Sequence, residues 1–268
     1  MASGGSAPGE MTGRLAHVCR HPIKAIGHEE LARVRLAPGR RLPLDRRWAV
    51  AHAEADIAPG PGGVIDSWVP KGRFLRGVAA PELMAIRAEA TAEGNDARLA
   101  LTHPKAGRLD IRPAAPGAGK ALISWLHPLW PADLPAPQAL VTLQEGGLTD
   151  RPEPFVSLLS LGSLRALEAQ MGVPLSIHRF RGNLWVDGLP PWVEFDLVGR
   201  EICIGATRLR VERRITRCKA TCANPETGAL DADTLGALKD AYGHRDFGVY
   251  VTVLDGGEIS PGDQVLIP

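Results

Sequence analysis

The segment Arg208-Leu-Arg-Val-Glu-Arg-Arg-Ile-Thr-Arg-Cys-Lys-Ala-Thr-Cys222 places Arg208, Arg210, Arg213, Arg214, Arg217 and Lys219 around the thiol of Cys218. Positive neighbours favour the thiolate, the form that ligates soft metals or attacks electrophiles. The competing reading is a strand with solvated arginines on its outer face, running into a buried and inert cysteine. Charge density alone favours that second reading. The turn Asn224-Pro225-Glu226-Thr227-Gly228 shifts the balance, because it sets Cys218 just ahead of a tight bend, where a side chain is easier to reach.

Other chemistry is sparse. Cys218 and Cys222 are separated by three residues, and Cys19 and Cys203 lie far away, so neither a disulfide scaffold nor a structural zinc site is expected. A reduced, cytoplasmic protein fits this cysteine usage. The eight histidines form no H-E-x-x-H pattern, and the Gly-rich stretches match neither a P-loop nor a dinucleotide cradle. The six tryptophans read as core and cleft-lining residues. No apolar run approaches a membrane span, and Met1–Glu10 lacks the basic and apolar regions of a secretory signal. Residues 1–13 read as a flexible tail, with Met11 as a second candidate start.

The whole chain must hold these residues in place. Its 268 residues carry 31 Lys+Arg against 30 Asp+Glu, a balance that argues against a nucleic-acid partner. A hydrophobic share of 44% supports one large domain or two smaller ones. Only six of the cations are lysines, and arginine grips planar anions with a fixed fork of donors. On composition alone, coding bias is the favoured explanation of that excess.

Short strands are expected at 15–20, 31–36, 47–52, 83–88 and 98–102, with turns at Pro38-Gly39, Pro59-Gly60-Pro61-Gly62-Gly63 and Glu93-Gly94-Asn95-Asp96. Residues 117–130 read as a helix, and the Pro-rich run 131–137 as a domain boundary. Beyond it, strands are expected at 139–143, 183–186, 201–204, 208–211, 247–254 and 264–267. Helices are expected at 163–171, stopped by Gly172, and from a cap at Asp231 to Tyr242, stopped by Gly243. Many short strands with few helices and no β-α-β alternation predict a mostly β, α+β protein built around barrels.

The motifs as a set resemble those of MOSC-domain proteins. Thr216-Arg-Cys-Lys-Ala-Thr-Cys-Ala-Asn-Pro-Glu-Thr-Gly228 is similar to the R-C followed by D/N-P-x-T-G, and Arg179-Phe-Arg-Gly-Asn183 to F-R-P-N. Phe247-Gly-Val-Tyr250 and Gly257-Glu-Ile-Ser-Pro-Gly-Asp-Gln-Val265 resemble the F-G-x-Y and G-x-I-x-x-G-D-x-V endings. His21-Pro-Ile-Lys-Ala25 and Leu44-Asp-Arg-Arg-Trp48 resemble elements of the β-barrel domain that precedes MOSC in the subgroup of the mitochondrial amidoxime-reducing component. The resemblance therefore implies a tail over 1–13, an N-terminal β-barrel-like domain over 14–130 and a MOSC barrel with peripheral helices over 138–268.

The resemblance further implies molybdenum cofactor (molybdopterin), whose metal takes a Cys thiolate, with Cys218 as metal ligand and catalytic residue. Lys24, Arg46 and Arg181 would bind the anionic cofactor. Thr149, Asp150, Asn183, Thr216 and Arg217 would complete its cleft. Ala25, Gly182 and Arg151-Pro152-Glu153 depart from the family pattern, and Arg151 offers a substitute charge. Cys222 stands where relatives often carry Thr; a small apolar filler is the favoured reading, beside a second sulfur site or a resolving thiol for Cys218.

The function this implies is a reductase of N-hydroxylated small molecules. Its electrons would come from a separate protein (a ferredoxin, flavin reductase or b-type cytochrome), with no nucleic-acid or membrane partner. The alternatives are a sulfur carrier with a persulfide at Cys218, or a carrier of the cofactor.

Overall fold

The chain was analysed as a computed structural model that describes residues 11–91 and 96–268. In chain order the strands are β1 (Met11–Arg20), β2 (Glu29–Glu30), β3 (Val34–Leu36), β4 (Trp48–His52), β5 (Val64–Ile65), β6 (Arg87–Thr91), β7 (Arg98–His103) and β8 (Gly107–Ile111). Helix α1 (Ala118–Leu126), β9 (Pro137–Leu143), β10 (Val156–Ser160), α2 (Leu161–Met171) and β11 (Leu184–Asp187) follow. The chain continues with β12 (Glu201–Ile204), β13 (Thr207–Thr216), α3 (Thr234–Tyr242), β14 (Asp246–Asp255), β15 (Gly257–Ile259) and β16 (Gln264–Ile267).

Seven strands close into a barrel in the order β11-β10-β14-β13-β12-β16-β1, with β1 returning to pair β11. All of these pairings are antiparallel except β10–β11. The interior follows from strand alternation. Leu209 and Val211 on β13, and Val249, Val251 and Val253 on β14, are buried in the barrel core, and Arg208, Arg210, Tyr250 and Thr252 alternate with them; Phe247 packs instead in the cluster under the helices. Closure removes the unpaired edges that an open sheet would expose. Helices α2 and α3 cover one side of the barrel over Leu159, Leu164, Leu167 and Leu238.

Strand β2 extends the sheet beside β1, β3 pairs with β15, and the remaining strands form two three-stranded sheets, β4-β9-β5 and β6-β7-β8. Ile23, Trp48, Leu83, Leu99, Leu122 and Leu126 share one core there, which includes the inner face of α1.

The mostly β, α+β class and the barrel stand as expected, and several boundaries do not. Strand β1 starts at Met11 and belongs to the C-terminal barrel, so residues 11–13 are not a tail and the unit expected at 14–130 begins with a barrel strand. The expected break at 131–137 is likewise displaced. Strand β9 lies beyond it but pairs with β4 and β5, so the chain leaves the N-terminal sheets only after Leu143.

Residues 83–88 are not one strand. Pro81 opens a 3-10 turn over Pro81–Ala85, and β6 starts at Arg87. The helix expected over 117–130 is α only to Leu126, where Pro128 leads it into a 3-10 turn at His127–Leu129. The cap of α3 is Asp233, whose carboxylate accepts the Gly236 N–H at 3.0 Å; Asp231 pairs with Arg179 instead. Most of the turn expected at 93–96 falls outside the described residues.

Candidate functional site

A cleft of about 210 Å³ lies where the barrel meets the N-terminal sheets. All nine residues singled out from the sequence line it: Lys24, Arg46, Thr149, Asp150, Arg181, Asn183, Thr216, Arg217 and Cys218. They come from segments far apart in the chain. Each is positioned by local structure that explains its reach.

Arg46 and Arg181 both sit in left-handed backbone, at φ 47° and 48°. Such φ values are uncommon for non-Gly residues and persist where the surroundings over-determine them. At Arg46, the backbone N–H donates to the His21 carbonyl at 2.7 Å and the carbonyl accepts from Leu148 N–H at 2.7 Å. Its guanidinium donates to Asp45 Oδ2 at 2.5 Å, to His21 Nδ1 at 3.1 Å and to the Arg181 carbonyl at 2.8 Å. Burial, helped by Arg46 and Arg181, pushes the His21 imidazolium well down, so a neutral ring accepts from Arg46. Burial would raise the Asp45 carboxyl, but Arg46 holds it well below the usual carboxylate range.

Arg181 donates to the Ile23 carbonyl at 3.4 Å, while its buried Nη1 has no hydrogen-bond partner. Burial and the neighbouring Arg46 push its pKa down to about 9. Lys24 is buried and pairs with Asp150, which Lys71 also reaches at 3.3 Å. Burial lowers the Lys24 ammonium and Asp150 opposes that shift. The same burial would raise Asp150, yet the two lysines take it down to about 2. The loop carrying Asp150 is held by Arg41, whose Nη2 donates to the carbonyls of Arg151, Pro152 and Glu153 at 3.0, 2.7 and 2.8 Å. Arg151 itself leans on Glu153 at 3.9 Å, so its charge is partly answered.

Four of the nine residues are structural in this geometry. Asn183 Oδ1 accepts from Ser157 N–H at 3.1 Å and from Ser157 Oγ at 2.8 Å, and its Nδ2 donates to the Cys19 carbonyl at 3.2 Å. Arg217 aims its guanidinium at main-chain carbonyls, donating to Phe180 at 2.8 Å and to Phe247 at 2.8 and 2.5 Å. Burial, with Arg46 nearby, lowers it to about 10. Thr149 Oγ1 donates to the Arg151 carbonyl at 2.6 Å. Thr216 is exposed and donates to Asp246 Oδ1 at 2.6 Å.

Cys218 is exposed and opens the 3-10 turn Lys219–Cys222, its carbonyl accepting from Thr221 N–H at 3.2 Å and Thr221 Oγ1 at 3.1 Å. Buried Arg179 fixes that turn, donating to the Cys222 carbonyl at 3.2 Å and to Asp231 at 2.6 Å. Cys222 is buried with its sulfur 3.6 Å from Thr234 Oγ1, which suits a packing role.

The arginines of β13 do not crowd Cys218 as a group. Arg208 pairs with Glu201 and Asp255 on the outer face of the barrel, Arg210 pairs with Glu212, and Arg214 lies 4.3 Å from the centre of the Phe195 ring. Strand alternation explains this, since these side chains point away from the interior. Arg217 alone among the β13-side arginines lines the cleft. The remaining positive charge comes from elsewhere. Among the described residues eight cationic side chains face the cleft against three carboxylates.

Sequence reasoning missed Lys71 and Arg76, which belong to no motif, and Tyr250, which lines the cleft and stacks on Phe155 at 5.2 Å. His21 and Asp45 stood inside quoted motifs without a role; their part in holding Arg46 depends on the fold. None of the six tryptophans lines the cleft. Among the described residues no group of three His, Cys, Asp or Glu could hold a metal unaided, and no helix is long and apolar enough to cross a membrane.

The chain is 32% identical over 98 residues to the molybdenum cofactor sulfurase of Drosophila willistoni, covering 36% of this chain and 12% of that protein. It is 30% identical over 110 residues to the molybdenum cofactor sulfurase of Drosophila melanogaster, covering 40% and 14%. The chain thus spans about an eighth of the length of these curated relatives. Among solved structures, the YUAD protein from Bacillus subtilis is similar over 97% of both chains, with a TM-score of 0.45 and 12% identity. YiiM from Geobacillus stearothermophilus is similar over 42% of this chain and 54% of that one, with a TM-score of 0.32 and 21% identity. The family model that matches runs from residue 146, just past the point where the chain leaves the N-terminal sheets, to residue 266, and the chain accordingly carries a MOSC domain.

Proposed function

We propose that the cleft binds molybdenum cofactor and that the protein is an oxidoreductase acting on N-hydroxylated compounds. The carrying observation is the convergence of Lys24, Arg46, Arg181 and exposed Cys218, from separate segments, on one cation-rich cleft.

The residues present fit the group. The buried Arg181 Nη1 lacks a partner, and an unanswered buried donor is costly unless a ligand completes it. The excess of cations needs an anion, and guanidinium forks match phosphate oxygens. Cys218 offers an exposed thiol, and thiolates suit soft, redox-active metals. When bound, the cofactor supplies a redox-active metal able to exchange two electrons.

The chain's own residues do the rest. Arg181 and Lys24 hold the anionic tail. Arg46 aligns Arg181 through its carbonyl, and Asp150 opposes the lowering that burial imposes on the Lys24 ammonium. Arg217 and Arg179 fix the two sides of the turn that presents Cys218. The overall reaction adds two electrons and two protons to an N–O bond, giving N–H and water. The electrons come from a separate donor protein and the protons from solvent.

A second reading draws on the names of the curated relatives, which are molybdenum cofactor sulfurases. In it, exposed Cys218 carries a sulfur or the cofactor without reducing anything. Metal analysis of protein from a cofactor-competent host, together with reduction of an N-hydroxylated probe by a small chemical reductant, separates the two. Near-stoichiometric molybdenum with turnover supports the reductase; metal-free protein bearing cyanide-releasable sulfur supports the carrier.

A further inference from the structure

The cations of the Arg-rich segment divide into two groups by partner. Arg208 and Arg210 are matched by carboxylates on the barrel wall, and Arg214 lies against Phe195. Arg213, Lys219 and Arg245 are exposed and make no ion pair among the described residues. None of the three lines the cleft, but each adjoins a residue that does. Arg213 is registered opposite Tyr250, so the two side chains share a face, and Tyr250 lines the cleft. Lys219 follows Cys218 directly. The Arg245 carbonyl accepts the Arg217 N–H at 2.8 Å, which fixes that residue beside the same turn.

Arg76 adds a fourth cation from a distant segment. It is exposed, lines the cleft and makes no ion pair among the described residues. Its neighbour Gly77 lies against Ala220, two residues from Cys218: a Cβ built at Gly77 would stand 3.5 Å from the Ala220 Cβ. Four exposed cations without ion pairs among the described residues therefore lie on segments that line or adjoin the cleft holding exposed Cys218, and the nearby Asp246 carboxylate accepts from the Thr216 hydroxyl.

We propose that Arg76, Arg213, Lys219 and Arg245 form the docking surface for an acidic electron-donor protein, placing its redox centre next to Cys218. The proposal rests on the reductase reading and names its partner by charge. Unpaired exposed cations contribute little to folding, because a surface charge is well solvated. Gathered on one rim, they create a local field that steers an anionic partner and speeds encounter. The chain's overall balance, +1, leaves that field undiluted by any general attraction. A one-electron donor would dock twice per turnover, each visit delivering one electron, with the two protons taken from solvent.

The probe is an acidic [2Fe–2S] ferredoxin titrated calorimetrically into the full chain. From about 0.01 to 0.1 M salt the screening length falls from ~30 to ~10 Å, so affinity should drop at least about tenfold. The double variant R213E/R245E should lose at least about tenfold in affinity at low salt. The control R208E/R210E, on the same strand, should bind as the wild type does. Thermal melts keep misfolding separate from lost docking. Equal losses in both double variants, or binding indifferent to salt, would overturn the surface. So would tighter binding of a single-stranded oligonucleotide that R213E/R245E abolishes. Reduction of an N-hydroxylated probe by a small chemical reductant tests the underlying reading on its own; R213E/R245E should leave that rate unchanged.

Discussion

The side chain of Arg46 donates to the main-chain carbonyl of Arg181 at 2.8 Å, tying a residue ahead of the N-terminal sheets to one just ahead of barrel strand β11. Both residues are left-handed, and both face the same cleft. The two halves of the anion grip are thus one hydrogen-bonded unit, so a change at one residue should be felt at the other.

Removing the counter-charge is therefore expected to be severe. Asp45 is 5% exposed and holds Arg46, so Asp45→Asn leaves a largely buried guanidinium without its carboxylate. Breaking a buried pair from one side costs about 3–5 kcal/mol. Urea unfolding should show a loss of that order. Arg46→Lys should lose roughly 1–3 kcal/mol, because one ammonium cannot span Asp45, His21 and the Arg181 carbonyl. A loss below about 0.5 kcal/mol in both would show that the bridge does not hold the cleft together.

The cysteines should separate by accessibility. Cys218 is expected to react with a thiol reagent in the native protein, whereas Cys19 and Cys222 should react only after unfolding. Burial, reinforced by Glu30 and Asp45, pushes the Cys19 thiol far up, so it stays protonated and inert. Cys218→Ser should leave stability within about 0.5 kcal/mol, as for an exposed site, while removing any thiolate signature of bound metal. Rapid labelling of Cys222 in the folded protein would contradict this packing.

Asn183 should behave as a structural knot. Its side chain joins Ser157 on β10 to the Cys19 carbonyl on β1, across neighbouring parts of the barrel. Asn183→Ala removes three buried hydrogen bonds and strands their partners, a loss of about 2–4 kcal/mol. Cofactor retention should fall only in proportion to unfolding. If the folded variant retains no cofactor at unchanged stability, Asn183 is a ligand-binding residue.

Stability above neutral pH should be limited by Glu194. Its carboxyl is fully buried, 2.8 and 2.9 Å from Ser163 Oγ, which itself accepts the Trp192 N–H at 2.8 Å. Burial raises its pKa to about 7 against the hydrogen bond from Ser163. The folded state then binds more protons than the unfolded state between its ordinary pKa of 4.5 and about 7, so this group's contribution falls as pH rises through that window. Glu194→Gln should remove that slope and gain up to about 3 kcal/mol at pH above the window. Parallel denaturation curves at mildly acidic and mildly alkaline pH test this; identical slopes in variant and wild type would refute it.

Motifs and punctuation were legible in the sequence. Gly172 and Gly243 stop their helices in left-handed backbone, and β12 and β16 fall where alternating apolar residues placed them. Strand β10 was not legible, because every one of its residues is buried. Leu158 faces the barrel core and Leu159 faces the helices, so no alternation marks it. The site was legible as a set of motif positions, but the division of labour within it was not. Whether a guanidinium meets a ligand or a carbonyl, as Arg181 and Arg217 differ, depends on neighbours that only folding supplies. Lys71 and Arg76 reach the cleft from a loop without any pattern of its own.

Strand β1 lies between β11 and β16, so the earliest-made strand of the barrel is seated beside one of the last. Pairings over such sequence separations form slowly, since a very long loop must close before any contact rewards it. During synthesis β1 must wait, its apolar face unmatched, until nearly the whole chain has emerged. The cleft shares this timing. Arg46 is made early, the carbonyl it must find at Arg181 is made much later, and the anion grip comes into being only as the barrel shuts.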